Sequence, residues 1–143
     1  METSDLTARQ IYQQIKDNPS RARFGFGQKA ILVNVDPQKA YTRPDLFKTA
    51  YETDPKQLEY VNQLATAFRA LDWPVVWTYV AFMESGEDCG VWGTRTDTPD
   101  SLQNIKFGSE RAEFDDRLDI NQEQDVIYCK KMPSAFFETA LQS

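Results

Sequence analysis

The stretch Lys29-Ala-Ile-Leu-Val-Asn-Val-Asp36-Pro37 decides the fold. Its run from Ile31 to Val35 is apolar except for Asn34 and rich in β-branched residues. That composition is typical of a strand buried on both faces of a parallel sheet. Pro37 has no N–H to donate to a neighbouring strand, so it ends the ladder. A carboxylate, Asp36, is therefore predicted to stand at the carboxyl end of a buried strand.

Helices and strands alternate on the C-terminal side of this stretch. Asp54-Pro55-Lys56-Gln57 is a strong helix start, and apolar residues at helical spacing continue from it to about Asp72. The other predicted elements are a strand over 74–81, a long functional loop over 83–108, a strand over 125–130 and a final helix over 135–141. This order predicts an α/β fold, a three-layer α/β/α arrangement around a doubly wound, mainly parallel sheet.

The N-terminal part differs from the rest. Residues 5–17 have apolar side chains at helical spacing, and Pro19 lies beyond them. Residues 21–27 form a connector that contains two glycines. We therefore divide the chain into an N-terminal helical arm and connector, residues 1–26, and a main domain, residues 27–143.

Composition narrows the classes of function. The chain has 143 residues and a net charge of -6, which disfavours nucleic acid as a partner because phosphates are repelled. The first residues contain no apolar run typical of a signal peptide, and no run is long enough for a bilayer. We expect no membrane partner. Two cysteines, Cys89 and Cys129, have no metal-site or disulfide-framework spacing. A cytoplasmic location is expected.

The chain contains no histidine. This excludes Ser-His-Asp and Cys-His triads built from its residues alone, and every zinc site that needs imidazole. We predict no metal site. Any acid–base chemistry must use carboxylate, lysine, tyrosine or cysteine side chains.

Asp36 and Lys130 are the candidate pair for such chemistry. Both stand at the carboxyl ends of predicted strands, where ligands bind in doubly wound sheets. A lysine beside a carboxylate, close to a thiol, can generate a thiolate without histidine. The same two side chains can equally form a structural ion pair that caps two strand ends. The pattern alone leaves both interpretations open.

Three motifs now point to a family. Val33-Asn-Val-Asp36-Pro-Gln38, followed by Tyr41, resembles the first-strand motif of the isochorismatase-like cysteine hydrolases. Ile127-Tyr-Cys-Lys130-Lys-Met-Pro-Ser134-Ala-Phe136-Phe-Glu-Thr139-Ala-Leu141 is similar to the family's lysine motif, and Gly108–Phe114 with Leu118 is similar to the segment before it. The resemblance spans roughly residues 27–141 and is closest to the N-carbamoylsarcosine amidase branch. Residues 27–143 then correspond to the N-terminal two-thirds of such a domain.

The resemblance implies an amidohydrolase with an Asp-Lys-Cys triad and no cofactor. Asp36 corresponds to the general base that takes the thiol proton, and Lys130 to the residue that keeps this carboxylate charged. The implied reaction is thiolate attack on the carbonyl of a small amide or carbamoyl compound, followed by hydrolysis of the thioester. The family's nucleophilic Cys belongs to a segment after Ser143. We therefore expect a complementary C-terminal polypeptide that carries it, and a chain that is inactive alone. The resemblance separately implies a homo-oligomer.

Neither cysteine of the chain is expected to replace that nucleophile. Cys129 precedes Lys130 on a strand, so its side chain points to the opposite face. Cys89 lies in the 83–108 loop, and free cysteines are usually inert.

The candidate substrate-binding residues are Gln38, Tyr41 and Trp92. Tyr41 and Trp92 lie in segments at the predicted rim and can wall an acyl pocket. Gln38 can orient Asp36 or a substrate amide, and it can equally tie down the turn after Pro37. The acidic stretches 84–88 and 110–116 are expected to be solvated surface.

Two alternatives to a hydrolase remain from the residues. One is a non-catalytic member of the same family that serves as a structural or regulatory subunit. The other is an unrelated α/β protein of flavodoxin or response-regulator type, with Asp36 as an acceptor or metal carboxylate. The second is disfavoured because the chain lacks an acidic pair beside Asp36 and a Gly-rich phosphate loop.

Overall fold

The computed structural model describes residues 6–17, 27–52, 54–91 and 104–142. Its helices are α1 (Ala8–Asp17), α2 (Lys39–Thr42) and α3 (Gln57–Ala70), and its strands are β1 (Leu32–Val35), β2 (Val75–Val80) and β3 (Val126–Lys130). Two short 3-10 helices cover Glu110–Ala112 and Ala140–Gln142. No helix in these ranges is long and apolar enough to cross a membrane.

The three strands form one parallel sheet in the order β1-β2-β3. Leu32 pairs with Val75 and Val35 with Thr78 on one side of β2, and Val80 pairs with Lys130 on the other. Helix α3 connects β1 to β2, because parallel neighbours need a crossover. The predicted α/β class with a parallel sheet is confirmed.

Burial is distributed differently from the expectation for β1. Val35 is 57% exposed and Ile31 is 55% exposed, so this strand is not buried on both faces in the described structure. The strand covered on both faces is β2, the middle one, where only Tyr79 is partly accessible. The composition of β1 was a correct indicator of a parallel strand, but its position at the edge of the described sheet decides its exposure.

One side of β1 has no described neighbour. The N–H groups of Leu32 and Asp36 donate to the carbonyl oxygens of Pro74 and Thr78 on the β2 side. Successive residues of a strand direct their backbone groups to alternate sides. The backbone groups of Val33 and Val35 therefore point towards the open edge.

Two apolar clusters hold the elements together. Under α3, Ala65 packs with Val75 and Trp77, and partly buried side chains from the 114–120 segment complete this cluster. A second cluster lies beyond the carboxyl ends of the strands and contains Ala40, Val80, Phe82, Cys89 and Ile105. The second cluster supports the candidate site, because Val80 and Phe82 belong to both.

The predicted helix starts and ends were partly correct. The predicted start was early: α3 begins at Gln57, its N-cap is Lys56, and no side chain caps it. The Asp54 carboxylate instead accepts the Lys56 N–H at 2.8 Å in the turn before the helix. The predicted helix over 135–141 was wrong, because only turns and a 3-10 helix are present there. The Thr139 hydroxyl competes for the backbone by donating to the Ala135 carbonyl. In addition, Glu138 has a positive φ of 55°, which does not fit an α-helix.

Candidate active site

The predicted pair meets at one rim of the sheet. Lys130 Nζ lies 2.5 Å from Asp36 Oδ2, and the side chains are 4% and 15% exposed. Lys130 ends β3 and Asp36 follows β1, so the lysine side chain reaches across the end of β2. A charge with little solvent contact requires a cationic partner and hydrogen-bond donors, and Lys130 provides the cation.

Thr78 provides the donor, and sequence analysis missed it. This residue of β2 is fully buried, and its hydroxyl donates to Asp36 Oδ1 at 2.8 Å. The Asp36 N–H donates to the Thr78 carbonyl at 3.1 Å and approaches the Thr78 hydroxyl at 3.3 Å. The available signal was a single polar side chain in the otherwise apolar strand Val75–Val80.

A cavity of about 310 Å³ opens beside the pair. It is lined by both charged residues and by a mainly apolar wall, with Tyr41, Val80, Phe82, Lys131, Met132 and Pro133 as the other contributors. The Lys130 ammonium also donates to the Met132 carbonyl at 3.1 Å, which ties the segment after β3 to the cavity. The volume suits a small substrate with one polar, reactive group.

Tyr41 lies where the sequence placed it, at the cavity wall. Its ring packs against the apolar cluster beyond the strand ends. Burial raises the pKa of the Tyr41 phenol, and the negative charge of Asp36 raises it further. The phenol is therefore neutral at physiological pH and can contact a substrate without competing for the lysine. Trp92, the third predicted substrate residue, lies outside the described residues.

Gln38 occupies a different environment from the cavity. Its side chain is fully buried, and its amide nitrogen donates to the carbonyls of Val80 at 2.8 Å and Ala112 at 2.9 Å. The Val80 N–H donates to Gln38 Oε1 at 2.7 Å. These contacts favour the interpretation in which Gln38 ties down the turn after Pro37, and its contact with substrate stays a prediction.

Neither cysteine lines the cavity. Cys89 is fully buried in the apolar cluster, and burial raises the pKa of its thiol. Cys129 pairs with Tyr79 in the sheet, one position before Lys130. Adjacent residues of a strand face opposite sides, so Cys129 faces away from the lysine. Both are free thiols.

The second lysine of the motif has its own partners. Lys131 Nζ lies 2.6 Å from Asp88 Oδ2 and 2.5 Å from the Ala81 carbonyl, and it sits over the Phe107 ring. Burial of Asp88 opposes its ionisation, but the Lys131 ammonium and the Met83 N–H together lower the pKa of this carboxyl. The acidic stretch 84–88 is therefore not merely solvated surface, because Asp88 fixes the loop after β2.

The second acidic stretch was also misjudged at Asp115. This side chain is fully buried, and it accepts hydrogen bonds from the Thr42 hydroxyl at 2.6 Å and from Arg117 Nε at 2.8 Å. Burial opposes ionisation of Asp115, but these donors hold the pKa of the carboxyl well below its usual range. The contact between Thr42 and Asp115 joins α2 to the segment before β3.

A second cavity of about 470 Å³ lies along β1 and the start of α3. Its wall includes Asp36, Tyr41, Thr42 and Arg117, so Asp36 and Tyr41 separate it from the first cavity. Asn34 also lines it and is 8% exposed, and its amide nitrogen has no hydrogen-bond partner in the described structure. A buried amide donor without a partner is uncommon and costs on the order of 1–3 kcal/mol.

The chain is similar to known proteins in sequence and in structure. The model of the isochorismatase domain matches residues 30–143. A cysteine hydrolase from Pseudomonas syringae is similar in structure, with a TM-score of 0.68, 24% identity, and coverage of 80% of this chain and 51% of that one. N-carbamoylsarcosine amidase from Thermoplasma acidophilum has a TM-score of 0.60 and 21% identity, with coverage of 80% and 58%.

An isochorismatase family protein from Burkholderia thailandensis is similar to the same degree. Its TM-score is 0.61 at 25% identity, with coverage of 78% of this chain and 55% of that one. The chain thus spans about half the length of the solved structures it resembles. None of the curated proteins is a significant match.

Proposed function

This chain belongs to the isochorismatase family, and we propose from that premise that it contributes Asp36 and Lys130 to a cysteine-hydrolase site. The substrate is a small amide or carbamoyl compound, as in N-carbamoylsarcosine amidase, whose solved structure it resembles. The observation that carries the proposal is the contact of 2.5 Å between Lys130 Nζ and Asp36 Oδ2 at the wall of a small cavity.

The chemistry assigns a separate task to each side chain. Asp36 takes the proton of a thiol, and the thiolate forms a bond to the carbonyl carbon of the substrate. When the C–N bond breaks, Asp36 returns that proton to the leaving amine. Water then cleaves the thioester and regenerates the thiol. Lys130 stabilises the Asp36 carboxylate and the thiolate by its positive charge, and no histidine is needed.

The nucleophile comes from a further polypeptide segment in this proposal. Cys89 is packed in an apolar cluster and Cys129 faces away from Lys130, so neither reaches the cavity. The open edge of β1 ends beside Asp36, and the exposed Val35 offers an apolar contact there. A parallel strand added at this edge brings its own carboxyl end to the same rim. Homo-oligomer formation and a cytoplasmic location, which suits two free thiols, are part of the proposal.

The test uses the native assembly that contains this chain. Ammonia release from N-carbamoylsarcosine and from simple amides is measured for the unmodified assembly and for Asp36→Asn. Loss of general-base catalysis lowers kcat by about 10²–10⁴-fold. Asp72→Asn is the matched control, because Asp72 is an exposed aspartate with a similar positive φ, 54° against 52° for Asp36. Equal activity of Asp36→Asn and Asp72→Asn contradicts the proposal.

Thiol labelling separates the hydrolase from the non-catalytic alternative. Iodoacetamide should modify a cysteine outside this chain rapidly, and Lys130→Met should slow that reaction because the thiolate loses its cation. Lys29→Met, at an exposed position, is the control. The position of Cys89 and Cys129 away from the cavity also suits a scaffold subunit. An assembly without a fast-reacting thiol and without ammonia release identifies the chain as such a subunit.

A further inference from the structure

The backbone of Asp36 adopts a conformation that needs support. Its φ is 52°, in the left-handed region of backbone conformations. Asp adopts this region more readily than most residues, but any residue with a Cβ does so at an energetic cost. The residue directly follows β1, so the chain turns sharply at the point where the carboxylate must be aimed. Such a conformation persists only where surrounding contacts hold it.

Thr78 makes those contacts from the neighbouring strand. The Asp36 N–H donates to the Thr78 carbonyl at 3.1 Å and to the Thr78 hydroxyl oxygen at 3.3 Å. The Thr78 hydroxyl in turn donates to Asp36 Oδ1 at 2.8 Å. Thr78 lies at the centre of the sheet and is fully buried, so its own position is fixed by β2 pairing on both sides. One residue thus holds both the backbone and the carboxylate of Asp36.

The two carboxylate oxygens are thereby made unequal. Oδ1 accepts the Thr78 hydroxyl, and Oδ2 lies at the Lys130 ammonium. We infer that Thr78 is a positioning residue, which orients the Asp36 carboxylate by donating to Oδ1 while Lys130 lies at Oδ2. This inference rests on the proposed function for its catalytic consequence, but the geometry can be tested without activity.

The first test is a double-mutant cycle on the chain itself. Thr78→Val keeps the shape and removes the hydroxyl, and Asp36→Ala removes the carboxylate. If Thr78 acts through Asp36, Thr78→Val raises the unfolding equilibrium constant about tenfold in the unmodified chain and much less in the Asp36→Ala background. Urea titration followed by tryptophan fluorescence measures both. Equal effects in the two backgrounds overturn the inference, because they assign Thr78 to packing alone.

Thr78→Ser is the conservative control, since it restores the hydroxyl. Asp36→Ala should change the unfolding equilibrium constant of the Thr78→Ser variant by the same factor as it changes that of the unmodified chain. Should Thr78→Val fail to fold, the Thr78→Ser and Thr78→Ala pair provides the same comparison at a smaller size. If the unfolding equilibrium constants of these two variants differ by the same factor with and without the Asp36 carboxylate, the inference is again overturned.

The second test uses the native assembly. Thr78→Val should lower kcat by about 10–100-fold with KM changed less than twofold, as expected when a general base is misaligned, and Thr78→Ser should retain kcat within about threefold. An unmodified assembly that releases no ammonia refutes the proposed hydrolase, while the cycle still decides the role of Thr78. An active assembly in which Thr78→Val keeps full kcat overturns the positioning role.

Discussion

Lys130 and Asp36 are in contact although they end two strands that are not neighbours. Strand β2 lies between them, so the lysine and aspartate side chains together bridge roughly two strand spacings, about 9–10 Å, and meet with Nζ 2.5 Å from Asp36 Oδ2. A long, flexible cationic side chain is required for that reach. The geometry makes Lys130 sensitive to substitutions that change length as well as charge.

Lys130→Met is expected to destabilise the chain by about 2–3 kcal/mol, somewhat less than a fully buried pair would lose, because Asp36 keeps some solvent contact. Adding Asp36→Asn should restore part of this loss, since no uncompensated charge remains. Urea unfolding of the two single variants and the double variant measures the coupling. Strictly additive losses would mean that the two side chains do not form the pair.

Asn34→Leu is expected to stabilise the isolated chain by about 1–2 kcal/mol, because it removes a buried amide donor that has no partner. Asn62→Leu is the matched control: the Asn62 amide donates to the Arg117 carbonyl at 2.8 Å and accepts from the Asp119 N–H at 2.9 Å. That variant should be destabilised. A loss of stability in Asn34→Leu would show that the Asn34 amide is satisfied in solution.

Asp115→Asn is expected to cost on the order of 2–3 kcal/mol at neutral pH, because hydrogen bonds to a buried charge are lost. The pKa of Asp115 is lowered in the folded state, so its contribution is complete above the usual carboxyl pKa of about 4 and is lost as pH falls below that value. The stability difference between the unmodified chain and Asp115→Asn should therefore shrink in acid. An exposed control, Asp72→Asn, should show no such pH dependence, and a difference for Asp115→Asn that stays constant down to the lowest folded pH would contradict the assignment.

Lys131→Met is expected to loosen the loop after β2, because the Asp88 carboxylate loses its ammonium partner. Cys89 belongs to this loop and is fully buried, so its alkylation by iodoacetamide should accelerate about three- to tenfold, which corresponds to roughly 1 kcal/mol of local opening. Lys48→Met, at an exposed position, should leave the rate unchanged. An unchanged rate in Lys131→Met would assign the loop's stability to its apolar contacts.

The sequence was sufficient for the fold class and for the meeting of Asp36 with Lys130. The fold class follows from the alternation of strands and helices, and the meeting of the two residues follows from the shared edge of carboxyl ends in a parallel sheet. The exposure of Val35 did not follow, because strand composition does not reveal how many neighbours a strand has. The helix predicted over 135–141 failed because apolar spacing competes there with local hydroxyl-to-backbone bonds, such as that of Thr139.

Other parts of the site depend on tertiary register. Thr78 faces Asp36 only because β1 and β2 pair with Val35 opposite Thr78. Asp115 is buried because the segment before β3 folds back onto α2, where the Thr42 hydroxyl and Arg117 compensate its charge. Neither arrangement has a sequence period, so only the folded chain reveals it.

Gln38 gives the segment Asp36-Pro37-Gln38 a structural role of its own. Its side-chain amide exchanges two hydrogen bonds with the backbone of Val80, as a residue of an antiparallel neighbouring strand would do. The edge of β2 thus gains one more pair of hydrogen bonds after β1 has turned away, and side-chain atoms of Gln38 make it. A glutamate at this position would face the Val80 carbonyl with an acceptor instead of a donor. The glutamine can thus be indispensable to the rim without ever contacting a ligand.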